Sequence, residues 1–418
     1  MEALKERIDS NINEYQKIWY ELPSALNNNL PCYDLNAKVK NEKYIESFIN
    51  TIYKEFLNYP DISEEKSGWG QNIYKLVKDF GNNSEFTNKK AISFLFSKDI
   101  KSITKEFFKR AKDFDDKMTL QEIGQAMRNV WIMNISQVLL NVEVKFTNAI
   151  FAYSMLYPYT DNILDDKTLS PEYKKRINHT LKCIIQGKKA ELKSDYEKRL
   201  YELIEIINND FDRGNHKNLF QSILAIQEAQ EFSVTQQNKA FSPFEKDLLN
   251  ISFIKGGTSV LADGYLVKGE LTDQEIKFML GYGIMLQLCD DLQDVQEDLK
   301  NNSVTIFSLT SKHWYLDNIT NKLINFVYHV IGIELKDFHY ELKEDMDKFL
   351  KENCLLFTFF SMSNSKKYFS QNYINTIENY MPFSFSFLKS IQDSFRKKYS
   401  KIRKKYGEET FNEMISYI

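Results

Sequence analysis

Two short acidic segments, far apart in the chain, carry carboxylates at the spacing of a helical turn. They comprise Asp161, Asp165 and Asp166 in the first segment, and Asp290, Asp291, Asp294 and Asp298 in the second. Side chains four residues apart share one face of a helix, where like charges repel unless a cation lies between them. Mg²⁺ prefers oxygen ligands and commonly joins a few carboxylates to a substrate phosphate. The two segments therefore predict a site for magnesium ions and a diphosphate group.

Each acidic segment follows an apolar stretch that we expect to be buried. Residues 151–157 precede the first segment, and residues 279–289 precede the second. A carboxylate at the end of a buried helix is costly unless it is paired or bound to a metal. A single acidic helix face is usually a solvated surface, which is the alternative interpretation. The presence of two such segments favours the metal site.

Other metal and phosphate sites lack the residues that they require. Residues 161–172 have the length of an EF-hand loop, but Ile163 occupies its third position and Asp166 replaces its glycine. None of the five histidines belongs to the Glu-x-x-His pattern of a di-iron bundle. The four cysteines have no zinc spacing, and no P-loop pattern occurs.

Further candidate residues lie on the predicted helices near the acidic segments. A diphosphate group needs cations to neutralise it, and the many aromatic residues are candidates for the walls of an apolar cavity. For each cation a structural salt bridge is an equally good interpretation, and for the tyrosines it is core packing. The candidates are Arg128, Lys255 and Lys312 as diphosphate ligands, and Tyr153, Tyr157 and Gln287 as residues of the cavity.

The chain is predicted to be helical almost throughout, since only 14 glycines and 7 prolines occur and no β-rich region stands out. Thr272 with Glu275, and Ser170 with Pro171, are typical helix starts, whereas Pro158 should kink or interrupt its helix. We predict an N-terminal helical extension over 1–115, a catalytic core over 116–330 and C-terminal helices packing on the core over 331–418. Helices near the site are expected at 120–141, 142–164, 171–187, 243–268 and 273–300.

The composition limits the partners of the protein. A net charge of −3 gives no general attraction for nucleic acid, and the basic residues at 396–405 fit a solvated helix face better than a membrane-facing surface. The sequence contains no run of about 18 apolar residues, so we expect no membrane-spanning helix. The N-terminal residues lack a signal sequence and the cysteines are scattered, so we expect a cytoplasmic protein with reduced thiols.

The acidic segments resemble those of class I prenyl-diphosphate enzymes, the isoprenoid synthase superfamily. Residues 287–298 are similar to the DDxxD motif of trans-prenyltransferases and to the DxxxDxxED motif of squalene and phytoene synthases. The spacing of Asp161 and Asp165 is closer to the squalene and phytoene group. The resemblance covers about residues 120–310, and the arrangement is most similar to the large class IB terpene synthases.

This resemblance implies an all-α bundle around a central cavity and three Mg²⁺ ions at its mouth. Asp161 and Asp165, helped by Asp166, would bind two of the ions. Asp290 and Asp294 would bind the third, with Asp291 and Asp298 as further candidates. The substrate would be a polyprenyl diphosphate, and enzymes of this class often dimerise, which leaves a homodimer open.

Departures from the family patterns select among the reactions. Chain-elongating synthases carry an arginine pair after the first motif and a basic GKxxR-type site. Here residues 167–170 read Lys-Thr-Leu-Ser, and no such basic site is evident. We therefore expect a terpene synthase that ionises one prenyl diphosphate and cyclises or deprotonates the cation. The alternatives are a prenyltransferase, either chain-elongating or head-to-head, and a helical interaction protein without catalysis.

Overall fold

The structure, a computed structural model, describes residues 2–166, 168–237 and 245–417, except for the side chains of Glu2, Asp161, Leu164 and Asp165. The described part is 77% helical and contains no strand, which confirms the predicted all-α fold class. Its α-helices are α1 Glu2–Glu21, α2 Leu35–Leu57, α3 Ser63–Asn83, α4 Lys89–Ser97, α5 Ile100–Phe114, α6 Leu120–Leu139, α7 Asn148–Asp165, α8 Pro171–Ile185, α9 Asp195–Asp210, α10 Lys217–Ser233, α11 Leu248–Lys268, α12 Asp273–Gln293, α13 Val295–Asn301, α14 Ile306–Thr310, α15 Asp317–His329, α16 Lys343–Asn364, α17 Gln371–Glu378 and α18 Phe385–Tyr417.

Local sequence signals explain where several of these helices begin. The Thr272 side chain accepts a hydrogen bond from the Glu275 backbone, and Glu275 returns one to Thr272, so α12 starts with the predicted capping box. Ser170 caps α8, which has Pro171 as its first residue. Helix α7 begins at Asn148, later than the predicted residue 142, and runs through Pro158 without interruption.

The chain forms two compact units. The second acidic segment lies in unit 1. Unit 1 comprises Met1–Leu26 and Gln121–Glu341. Within it, α11 packs against α10 and α12, and also contacts α1 and α7. Helices α11 and α12 are buried along most of their length, as expected for helices with apolar residues on every side.

A pair of glycines lets α11 and α12 approach each other closely. A methyl group on Gly256 would overlap the Gly283 carbonyl, and a methyl group on Gly283 would overlap the Gly256 carbonyl. The contact holds Lys255, the neighbour of Gly256, close to the last two turns of α12. The two glycines therefore fix the spacing between a candidate cation and the candidate metal ligands.

Replacing Gly256 with alanine should lower the free energy of unfolding by about 1–3 kcal/mol, because the added methyl group meets backbone rather than a mobile side chain. Gly124 of α6 is the matched control, since a methyl group there would have no neighbour within 4 Å. Gly124→Ala should stabilise the protein by about 0.5–1 kcal/mol. Urea titration measures both values, and similar changes in the two variants would contradict the close contact.

Unit 2 comprises Asn27–Leu120 and Leu342–Ile418 and has its own core. This core contains Phe56, Tyr59, Trp69, Ile73, Ile402, Phe411 and Met414, contributed by helices from both ends of the unit's sequence and by the residues next to them. The unit boundaries lie near residues 120 and 341, and residues 1–26 belong to unit 1. The predicted packing of the C-terminal helices on the catalytic core stays a prediction.

Within the described ranges, no helix is both long and apolar enough to cross a membrane.

Candidate metal centre

The second acidic segment spans the junction between α12 and α13. The Asp294 backbone amide donates to the Asp290 carbonyl at 2.9 Å, and the Asp298 amide donates to the Asp294 carbonyl at 2.8 Å. Helical hydrogen bonding thus continues across the junction, although Asp294 itself ends α12 and precedes α13. This continuity keeps Asp290, Asp294 and Asp298 on one side of the two helices.

Asp290 is exposed near the C-terminal end of α12. Desolvation by the surrounding protein, with repulsion from Asp294 and Asp291, nevertheless raises the pKa of its carboxyl group to about 6. An ion or a small ligand can reach this carboxyl group, whose charged form its neighbours disfavour.

Asp291 points instead toward α11. The Ser252 hydroxyl donates to Oδ2 at 2.6 Å, and the Gln287 amide nitrogen donates to Oδ1 at 2.8 Å. Burial raises the pKa of Asp291, and these two hydrogen bonds oppose the rise. Both oxygens are already partnered: the Ser252 bond joins α12 to α11, and the Gln287 bond lies within α12. The sequence offered no signal for the contribution of Ser252.

Asp298 is tied to the turn that follows α13. The Thr305 hydroxyl donates to Asp298 Oδ2 at 3.2 Å, and Thr305 also caps α14. Desolvation, followed by repulsion from Asp291, raises the pKa of Asp298 to about 7, while hydrogen bonding to Thr305 partly opposes this. The negative charge of Asp298 is therefore repelled by the neighbouring aspartates, and a bound cation would offset this repulsion.

Two of the three predicted cations act on these carboxylates. Lys255 of α11 lowers the pKa values of Asp290, Asp291 and Asp294, and Arg128 of α6 lowers those of Asp290 and Asp294. Arg128 is exposed, and Lys255 is half-buried. Lys312 is also exposed, and no interaction between Lys312 and the acidic segment occurs among the described contacts. The structure thus brings together two cations and three carboxylates from separate helices.

The first acidic segment is described only in part. Asp161 and Asp165 belong to α7, but their side chains lie outside the described residues, so their metal-binding roles stay predictions. Asp166 ends α7, and its Oδ1 accepts hydrogen bonds from the Thr168 amide at 2.7 Å and hydroxyl at 2.6 Å. These bonds lower the pKa of Asp166, which here stabilises the turn after the helix.

The predicted aromatic residues line a small apolar cavity in unit 1. The cavity has a volume of about 30 Å³. Burial, followed by the nearby Asp263, raises the pKa of Tyr153 well above its usual value. The lining residues are Tyr153, Leu156, Tyr157, Thr160, Leu181, Ile185, Ile223, Ile226, Gln227 and Gln230.

Asp263 is a buried carboxyl group of α11 near Tyr153 whose burial the sequence did not reveal. Asn129 of α6 donates to its Oδ1 at 3.3 Å, whereas Oδ2 has no hydrogen-bond partner among the described atoms. Burial raises the pKa of Asp263 well above its usual value. Burial without a full set of hydrogen-bond partners therefore favours the protonated form of Asp263.

Asp263→Asn should make the protein more stable than the wild type at pH 8, with little difference near pH 3. The folded state keeps the Asp263 proton while the unfolded state loses it, so the wild type loses stability as the pH rises above the unfolded pKa. The amide has the shape of the neutral acid and removes this loss. Urea titration at the two pH values measures the effect. An equal destabilisation by the mutation at both would show that Asp263 is not neutral.

The second acidic segment offers the kind of ligand that Mg²⁺ prefers, since carboxylate oxygens lie there under mutual repulsion. Among the described side chains, no three or more histidine, cysteine, aspartate or glutamate residues are grouped so that they could hold a metal. Comparisons of the chain with protein families, with curated proteins and with solved structures find no match. The function of the site must therefore be inferred from its own geometry and charge.

Proposed function

We propose that the protein is a cytoplasmic, Mg²⁺-dependent class I terpene synthase acting on a linear polyprenyl diphosphate. The observation that carries the proposal is the acidic cluster at the end of α12, beside which Lys255 and Arg128 lie. Asp290, Asp294 and Asp298 stand there under repulsion, with Lys255 and Arg128 close enough to lower the pKa of two of them. Alternating negative and positive groups of this kind suit a magnesium diphosphate.

Each charged group has a separate task in this proposal. Asp290 and Asp294 would hold Mg²⁺, and Asp298 would support them. Asp161, Asp165 and Asp166 would complete the set of ligands from α7. Bound Mg²⁺ supplies positive charge that stabilises the departing diphosphate. Lys255 and Arg128 bind oxygens of the same group and stabilise the negative charge that develops as the allylic C–O bond breaks.

The apolar residues that line the cavity of unit 1 would protect the carbocation that remains, once the cavity widens well beyond its volume of about 30 Å³ to admit the prenyl chain. Tyr153 and Tyr157 offer aromatic rings, whose faces attract cations. Aliphatic residues of α8 and α10 complete this apolar wall and exclude water. The cation would cyclise or lose a proton from carbon to the released diphosphate, giving a hydrocarbon; capture of a water molecule, whose proton the diphosphate takes, would give an alcohol.

Incubation with prenyl diphosphates of increasing length, from geranyl to geranylfarnesyl diphosphate, tests the proposal. We expect Mg²⁺-dependent release of diphosphate and a hydrocarbon or alcohol, detected by gas chromatography and mass spectrometry, from a single substrate. Product that forms only after addition of isopentenyl diphosphate would indicate a prenyltransferase instead. Absence of both turnover and Mg²⁺-dependent diphosphate binding would contradict an enzymatic role.

A further inference from the structure

Four consecutive residues after α14 are all exposed, and two of them are large aromatics. The segment, Lys312–Tyr315, contains Trp314 with 69% and Tyr315 with 64% of the residue surface exposed. The His313 ring lies edge-to-face against Trp314, with 5.5 Å between the ring centres. Leaving two large apolar rings in water forgoes the free energy that their burial would provide.

The backbone beneath this segment is fixed. The amides of His313 and Trp314 donate to the Thr310 carbonyl at 3.1 and 2.9 Å. Leu316, the next residue, is fully buried, as is Phe307 one turn before Thr310. The aromatic side chains therefore project from an anchored turn.

The chemistry of the segment suits the surface of a lipid bilayer. Tryptophan and tyrosine combine an apolar ring with a polar tip and are enriched where a membrane meets water. Lys312 complements anionic headgroups. A stable protein–protein interface uses about 20–30 residues on each side, far more than this segment offers. One lysine offers too little positive charge for the closely spaced phosphates of nucleic acid, whereas a bilayer also accepts the two aromatic rings.

We propose that Lys312–Tyr315 is a docking site for the surface of an anionic lipid bilayer. Helix α14, which precedes the segment, packs against α12 and α13, the helices that carry Asp290, Asp294 and Asp298. Docking would hold this end of unit 1 near the layer in which molecules with long apolar chains dissolve. Lipid binding requires no turnover, so the proposal stands apart from the proposed enzymatic function.

Sedimentation with vesicles tests this proposal on the full chain without any prenyl substrate. The vesicles consist of phosphatidylcholine with a minority of phosphatidylglycerol, and vesicles of phosphatidylcholine alone are used in parallel. We expect the wild type to bind the mixed vesicles, and Trp314→Ala/Tyr315→Ala to bind about tenfold more weakly. Trp131→Ala, which removes another exposed tryptophan, is the matched control and should bind like the wild type.

Tryptophan fluorescence locates the contact independently of affinity. The emission should shift to shorter wavelength on mixed vesicles, and Trp314→Phe should abolish the shift while Trp131→Phe retains it. The proposal would be overturned if the wild type did not sediment with the mixed vesicles, or if Trp131→Ala lost as much binding as the double variant. Equal binding of the wild type to phosphatidylcholine vesicles would also overturn it. So would binding to a duplex oligonucleotide in place of vesicles. Circular dichroism melting shows that each variant is folded.

Discussion

If the protein is the proposed enzyme, Asp290→Asn is expected to lower Mg²⁺-dependent turnover by about a thousandfold or more, because the mutation would remove a ligand charge that becomes essential as the diphosphate departs. Asp290 combines solvent access with close repulsion from Asp291 and Asp294. Among the described carboxylates of the second acidic segment, Asp290 is the exposed one whose pKa is raised. Steady-state release of diphosphate, measured at saturating Mg²⁺, gives the size of the effect.

Asp273→Asn is the matched control, since Asp273 lies at the opposite end of α12 and pairs on the surface with Arg7. Loss of an exposed pair should change stability and turnover little. Near-normal activity of Asp290→Asn, or equal losses in both variants, would contradict the role of Asp290 at the site.

Asp290→Asn should also raise the free energy of unfolding of the metal-free protein above pH 6. The pKa of Asp290 is about 6 in the folded chain, above its ordinary value near 4, so the folded state holds this proton more tightly. Wild-type stability therefore falls as the pH rises from about 4 to 6, and Asp290→Asn removes that contribution. An ionised Asp290 lowers the free energy of unfolding while the site is empty. Such a cost, which a bound cation would offset, fits a ligand-binding role.

The all-α class and the second acidic segment could be predicted from local patterns alone. The Thr272–Glu275 capping box and the apolar run after it define α12, and four-residue spacing defines the acidic face at its end. These features depend on neighbours in sequence, so a single chain displays them. The first segment has the same local pattern, but the side chains of Asp161 and Asp165 lie outside the described residues.

What the sequence could not reveal depends on contacts between distant helices. Ser252 and Asp291 meet only because α11 packs closely on α12, and nothing in either local sequence distinguishes Asp291 from its neighbour Asp290. The two aspartates therefore seemed equivalent, although Asp290 is exposed and Asp291 is buried and hydrogen-bonded to Ser252 and Gln287. The burial of Asp263 likewise requires α6 and α11 to be adjacent.

Lys255→Met should weaken the binding of inorganic diphosphate with Mg²⁺ by about tenfold or more, because a charge-assisted contact is lost while the side chain keeps its length. The pH dependence of turnover should also change. Lys255 lowers the pKa of Asp290, so its removal should move the acidic limb of the pH profile to higher pH. Isothermal titration and a pH series measure the two effects.

Lys312→Met provides a comparison between two lysines that sequence analysis assigned to the same role. Lys312 is exposed and belongs to the segment after α14, whereas Lys255 lies beside α12 and acts on three carboxylates. We expect Lys312→Met to bind diphosphate like the wild type and to keep its pH profile. If both variants lost diphosphate binding equally, the acidic cluster at the end of α12 would not be where the diphosphate binds. A shift of the profile in Lys255→Met alone would link the diphosphate site to Asp290.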